Sequence, residues 1–224
     1  VFDMDGVITD TARVHEAAWK RLFDQYLTTE APSGADRRPF DGEDYRRYVD
    51  GRLRVDGVES FLASRGVRLE RGEPTDPETA PSAWGLANRK NRYFHEVLAT
   101  EGVDAFPSSI ALARAARRSG VRTAVVTASR NRAAVLEAAG VSHLFDAHVD
   151  GIDIAELNLP GKPDPATFLE ALCRLDIEPG RAVVIEDAVA GVEAGRAGGF
   201  GFVIGVDRSG QAERDLIAHG ADVV

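Results

Sequence analysis

From about Ala105 onward, short β-branched runs alternate with helix-length segments, and this alternation constrains the fold more than any other feature of the chain. RTAVVT (Arg122 to Thr127) reads as a buried strand, followed by the helix NRAAVLEAAG, which ends at Gly140. FDAHV, a loop and a helix from Asp164 to about Leu175 come next. RAVVIED (Arg181 to Asp187) is the clearest strand, and the helix AVAGVEAGRAGG and the strand GFVIG follow it. Upstream, Ser108 or Ser109 caps a helix carrying Ile110, Leu112, Ala115 and Ala116, and Gly120 stops it. Helices of about 10–15 residues between short apolar runs mark βαβ units. The expected fold is therefore α/β, a doubly wound, Rossmann-like parallel sheet. VFDMD opens inside a strand and GADVV stops inside another, so the sequence reads as trimmed at both ends.

The stretch from about Thr11 to Val103 breaks the pattern. It reads as several helices with charged, Pro- and Gly-containing connections, among them the loop RGEPTDPETAPS. A helical block between a first strand and a later α/β half looks like an inserted cap. The expected division is a core of residues 1–11 and 104–224 around a helical cap domain, 12–103. A chain of 224 residues suits one domain with an insertion. Acidic residues outnumber basic ones 36 to 27, giving a formal charge of -9, which disfavours nucleic acid and anionic membranes as partners. No run approaches the length of a membrane span and no signal peptide opens the chain. The single Cys173, in the apolar-periodic run FLEALCRL, cannot form an internal disulfide and reads as a small core residue. The expectation is a soluble cytoplasmic monomer.

Open parallel sheets bind ligands beyond the carboxyl ends of their strands. The first strand delivers Asp3 and Asp5 to that edge, in DMDGVITD. RTAVVT delivers Thr127, then Ala128, Ser129, Arg130 and Asn131; RAVVIED delivers Glu186 and Asp187; the loop GKPDP delivers Lys162. Clustered carboxylates repel, and burial raises their pKa values unless a cation compensates. Oxygen ligands without His or Cys suit Mg²⁺, which also leaves room for substrate phosphate. Lys162, Thr127 and backbone N–H groups can hold phosphoryl oxygens, as phosphoryl transfer requires. One carboxylate beside the metal can attack phosphorus, and a second, two residues on, can move a proton. Each residue alone has a plainer reading. Asp5-Gly6 makes a turn, Thr127 caps a helix, Glu186-Asp187 ends a strand, and Lys162 is a loop lysine. Four such accidents in order at one sheet edge are what the plain readings require.

DMDGVITD, the VVT strand end, GKPDP and VVIED resemble, in order and spacing, the four motifs of the haloacid dehalogenase superfamily of phosphotransferases. The resemblance implies that Asp3 is the phosphorylated nucleophile and Asp5 the general acid/base. It implies Thr127 and Lys162 as phosphate holders. It also implies Mg²⁺ bound by Asp3, the Asp5 carbonyl and Asp187, with Glu186 in support.

Thr11, His15 and Trp19 recur at i, i+4 and share one helix face, where the plain reading makes Trp19 core and His15 a satisfied polar neighbour. Lys90 lies among Leu86, Ala87, Tyr93, Phe94, Val97 and Leu98, where it either snorkels to solvent or points into a cleft. Arg52 and Arg54 add positive charge. TARVHEAAW, NRKN and DGRLRVD resemble the β-phosphoglucomutase branch of the superfamily. The resemblance implies that Thr11 and His15 position the acid/base and relay its proton. It places Trp19, Gly51, Arg54 and Lys90 on the substrate side, Ala128 among the phosphate-binding residues, and Ser129, Arg130 and Asn131 at the far phosphate. It makes Lys162-Pro163 a candidate cis peptide. The sequence departs from the branch at Asp50-Gly51, where Lys-Gly is typical, at Leu53, and in a longer, more acidic 63–84 loop. The implied activity is interconversion of β-glucose 1-phosphate and glucose 6-phosphate through an aspartyl-phosphate. Hydrolysis of sugar phosphates, including disaccharide phosphates, is the alternative. A non-catalytic sugar-phosphate binding module is a further one.

Overall fold

The computed structural model describes residues 1–49 and 52–224. Contacts divide the chain into two compact units, Val1–Thr11 with Val103–Val224, and Ala12–Gly102.

The first unit holds five strands: β1 (Phe2–Asp3), β2 (Ala124–Val126), β3 (Ala147–Val149), β4 (Val183–Glu186) and β5 (Phe202–Gly205). They form one sheet in the order β3-β2-β1-β4-β5, with every pairing parallel. Phe2 sits opposite Val125 on one side and Ile185 on the other, so β1 is central and the winding reverses beside it. That reversal is where an open α/β sheet leaves a crevice at its carboxyl edge. The connecting helices are α5 (Pro107–Arg118), α6 (Arg132–Ala138), α7 (Gly151–Glu156), α8 (Ala166–Leu175), α9 (Val189–Ala197) and α10 (Glu213–Ala218). They cover both sides of the sheet, the doubly wound arrangement the alternation predicts. Val126, Val149, Val184 and Val203 pack with Phe168, Leu172 and Val192 in one buried core.

Several local expectations change. Strand β2 is shorter than RTAVVT because the Thr123 hydroxyl and amide turn to Leu144 and Asp146 instead of a strand partner. Helix α8 begins at Ala166, where the Asp164 carboxylate accepts the Ala166 amide and Pro165 occupies the cap position. Neither Ser108 nor Ser109 caps α5: Phe106 does, with Pro107 in the first turn, where its missing N–H costs nothing. Leu112 is exposed, and the buried face of α5 is Ser109, Ile110 and Ala113. Cys173 is exposed too. The buried stripe of α8 runs through Phe168, Ala171, Leu172 and Leu175, and one residue past Leu172 rotates the thiol off it. At the C-terminal end, GADVV forms no full strand; Val223 makes a lone parallel bridge to Ile204.

The second unit is helical, with α1 (beginning at Thr11 and ending at Thr29), α2 (Gly42–Asp44), a π-turn at Tyr45–Val49, α3 (Arg54–Ser64) and α4 (Ala83–Glu101). Its core is aromatic. Trp19 stacks on Phe23 with centroids 5.1 Å apart, and Phe23 meets Phe61 at 4.0 Å and Phe40 at 5.2 Å. A buried ion pair, Arg65 to Asp44 at 2.5 Å, ties the end of α3 to α2. The long acidic loop is pinned rather than loose. Asn88 donates to the Pro74 and Asp76 carbonyls, Arg89 to the Glu78 carbonyl, and Arg71 pairs with Asp56 and Glu59.

Because Phe61 is fully buried at the centre of the aromatic cluster, Phe61→Ala should destabilise the protein by about 3–5 kcal/mol. Urea unfolding measures this, and a loss below about 1 kcal/mol would place the core of the unit elsewhere.

Candidate active site

Three adjacent central strands end at the same edge. Asp3 is the last residue of β1, Glu186 the last of β4 with Asp187 after it, and Thr127 follows β2. Ligand-capable oxygens of Asp3, Glu186 and Asp187 all lie within 4.8 Å of one another. Lys162 reaches into the group from the loop before α8, donating to Asp3 Oδ1 at 2.5 Å and Glu186 Oε2 at 2.6 Å. The Lys162–Pro163 peptide is cis.

Close approach here requires glycine at two positions. Gly6 has φ +84°, and a Cβ on it would overlap the Asp187 carboxylate. Gly191, inside α9, leaves the space that the Glu186 carboxyl fills. The sequence offered a signal for each, a Gly directly after the second aspartate and a Gly inside a helix.

The electrostatics follow from crowding. Asp3 and Glu186 are buried, and burial raises the pKa of each. The Glu186 charge pushes Asp3 further up, while Lys162 opposes the rise at both. Asp187 is pushed up to about 7, by burial and then by the Asp3 charge. Burial works against the charge on Lys162, but Asp3 and Glu186 outweigh it and raise its pKa. At an effective dielectric of about 20, unit charges at this separation repel by roughly 3 kcal/mol or more per pair. One ammonium does not offset three carboxylates. An all-oxygen donor set this compact fits a hard divalent cation.

Asp5 is held by hydroxyls instead of by Lys162. Its Oδ1 accepts the Thr11 hydroxyl and its Oδ2 accepts the Thr127 hydroxyl at 2.7 Å. Thr127 Oγ1 in turn accepts the Ser129 amide at 3.0 Å. The plain reading of Thr127 as a helix cap gives way: α6 starts only at Arg132, and the hydroxyl serves Asp5. Ala128, Ser129, Arg130 and Asn131 follow in a tight loop, with the Asn131 amide on Ser129 Oγ and the Gly151 amide on the Ser129 carbonyl.

The second unit has its own polar group. Lys90 Nζ lies 2.6 Å from His15 Nδ1, 5.0 Å from the centre of the Trp19 ring and 5.1 Å from that of Phe94. Lys90 is only 3% exposed, which overturns the snorkelling alternative. Burial, then the charges of Lys90 and Arg54, hold His15 well below its usual pKa. With Lys90 donating to Nδ1, the neutral ring carries its proton on Nε2. Arg54 donates to the Ala87 carbonyl at 3.3 Å. Gly51 and Asp50 lie outside the described residues.

A family model described as haloacid dehalogenase-like hydrolase matches residues 1–199. The chain belongs to this family. β-Phosphoglucomutase from Mycobacterium bovis is 44% identical over all of this chain and 87% of its own length. β-Phosphoglucomutase from Bacillus subtilis is 32% identical, again over all of this chain and 87% of its own. Among solved structures, a CbbY mutant from Rhodobacter sphaeroides in complex with xylulose-1,5-bisphosphate superposes with a TM-score of 0.72. That match has 25% identity and covers 100% of this chain and 91% of the other. As a member of the haloacid dehalogenase-like family with these relatives, the protein is an enzyme of the phosphotransferase type.

Gly6→Ala forces a Cβ against Asp187 at a left-handed backbone position, so activity should drop by about a hundredfold or more. An unimpaired Gly6→Ala enzyme would show that this contact is not needed. His15 has a lower pKa folded than unfolded, so the unfolded chain takes up the proton first and stability falls as pH drops below 6.5. Thermal unfolding between about pH 7.5 and about 5.5 should show a smaller acid loss for His15→Gln than for wild type. Equal losses would mean that His15 is not held neutral.

Proposed function

We propose that this enzyme interconverts β-glucose 1-phosphate and glucose 6-phosphate by phosphoryl transfer through Asp3. The observation that carries the chemistry is the contrast between two aspartates two residues apart. Asp3 sits in the carboxylate cluster against Lys162, and Asp5 is held between two threonine hydroxyls. The first is a nucleophile's place beside positive charge; the second is a carboxylate positioned to exchange a proton. The choice of sugar rests on the two β-phosphoglucomutase relatives.

In the first half-reaction a carboxylate oxygen of Asp3 attacks phosphorus, and the bond from phosphorus to the sugar oxygen breaks. Asp5 gives its proton to that leaving oxygen. In the second half, Asp5 takes the proton of the acceptor hydroxyl, which attacks phosphorus and releases Asp3. Lys162 and Thr127 hold oxygens of the transferring phosphoryl group, and Ser129, Arg130 and Asn131 hold the distal phosphate. Asp3, the Asp5 carbonyl and Asp187, with Glu186 in support, would hold Mg²⁺. Bound there, the ion would supply the positive charge that keeps these carboxylates ionised and neutralises charge on the phosphoryl group.

The helical unit is assigned the part of a cap that selects the substrate. Lys90, Arg54, Trp19 and Gly51 address the sugar and its distal phosphate, and neutral His15 relays a proton toward Thr11 and Asp5. Excluding water is what lets a sugar hydroxyl compete as acceptor, a role lids commonly play.

The test supplies β-glucose 1-phosphate with a trace of glucose 1,6-bisphosphate and Mg²⁺. Glucose 6-phosphate should accumulate in excess over free phosphate. Mainly free phosphate would assign the enzyme to sugar-phosphate hydrolysis instead. Asp3→Asn should lower turnover by about four orders of magnitude or more, and wild-type turnover in that variant would exclude the covalent route.

A further inference from the structure

We propose that Arg208 is a positioning residue for Asp5. The assignment rests on the reading of Asp5 as the general acid/base. Arg208 comes from the loop after β5, at the sheet edge, yet its side chain ends on the turn that follows β1. Nε donates to the Gly6 carbonyl at 3.1 Å and Nη2 to the Val7 carbonyl at 3.1 Å. The same guanidinium reaches Ser109 Oγ at 3.0 Å and Ser108 Oγ at 3.4 Å, and lies 3.8 Å from the centre of the Phe106 ring. Phe106 closes the circuit, its amide donating to the Ile8 carbonyl at 2.9 Å.

The loop is built to aim this side chain. The Val206 amide continues the β5 ladder onto the Glu186 carbonyl at 2.8 Å. Asp207 then accepts the amides of Ser209 and Gly210 on one oxygen and those of Ala212 and Glu213 on the other. A loop wound around Asp207 leaves Arg208 directed at the β1 turn.

What it grips is the backbone directly after Asp5. The turn is tight: Gly6 N donates to Thr9 O, and the Ile8 and Thr9 amides both donate to Met4 O, each at 2.9 Å. The peptides at residues 6 and 7 aim their carbonyls at the guanidinium, so Arg208 fixes their orientation. That orientation decides whether the Asp5 carboxylate reaches both Thr11 and Thr127 at once. Two parallel donors plus an aromatic stack are particular to arginine, and lysine reproduces neither.

The test separates positioning of Asp5 from general support of the fold. Phosphorylation of Asp3 is followed by rapid quench from two donors, glucose 1,6-bisphosphate and acetyl phosphate. When acetyl phosphate is the donor, acetate departs with the electron pair of the broken bond and needs no proton. When the bisphosphate is the donor, the sugar oxygen must be protonated by Asp5 as it leaves. Arg208→Lys and Arg208→Met should slow phosphorylation from the bisphosphate by about ten- to a hundredfold. Phosphorylation from acetyl phosphate should stay within about twofold, because no general acid is used. Equal slowing with both donors, or none with either while the melting temperature falls, would make Arg208 a structural strap and overturn the assignment. Asp5→Asn is the reference. If it fails to discriminate between the donors, the acid/base reading falls and takes this assignment with it. If it discriminates and the Arg208 variants do not, only Arg208 is misassigned.

Discussion

Three carboxylates within 4.8 Å of one another, answered by one lysine ammonium, are the constraint on which the rest of this structure depends. Left alone, such a cluster would protonate or push itself apart. The fold prevents the second by mounting Asp3 and Glu186 on neighbouring central strands whose ladders fix their separation. It makes room for the close packing with Gly6 and Gly191, where any side chain would strike a carboxylate. The strained electrostatics that remain, seen in the raised pKa values of Asp3, Glu186 and Asp187, are a standing demand for positive charge. A hard divalent cation would meet that demand.

The two aspartates of the first motif illustrate how little sequence separation is needed for distinct environments. Asp3 lies at a strand end, buried against like charge. Asp5, two residues later, has entered the turn, where hydroxyls from Thr11 and Thr127 satisfy both its oxygens. The helical unit solves a related problem with different groups. A buried lysine is tolerated there because neutral His15 accepts from it and two aromatic faces surround it.

Much of this was legible in the sequence because strand ends are local features. Runs such as RAVVIED announce both a buried strand and the carboxylates it delivers, and parallel topology gathers them at one edge. What was not legible depended on direction and distance. Cys173 fell in an apolar-periodic run, but its own azimuth on α8 points to solvent. Ser108 and Ser109 looked like helix caps, while Pro107 starts the helix earlier and leaves their hydroxyls to Arg208. Lys90 lay on an apolar face, and nothing in its spacing told that His15, 75 residues away, would meet it. Arg208 carried no signal at all, since its partners are two serine hydroxyls about one hundred residues earlier and two backbone carbonyls about two hundred residues earlier.

In the proposed mechanism Asp3 carries the phosphoryl group. Mixing the enzyme with acetyl phosphate and Mg²⁺, quenching in acid and mapping peptides by mass spectrometry tests it directly. One phosphoryl group should appear on Asp3 and be removed by hydroxylamine, as an acyl phosphate is. A label on another residue, or turnover with no label on Asp3, would exclude Asp3 as the nucleophile.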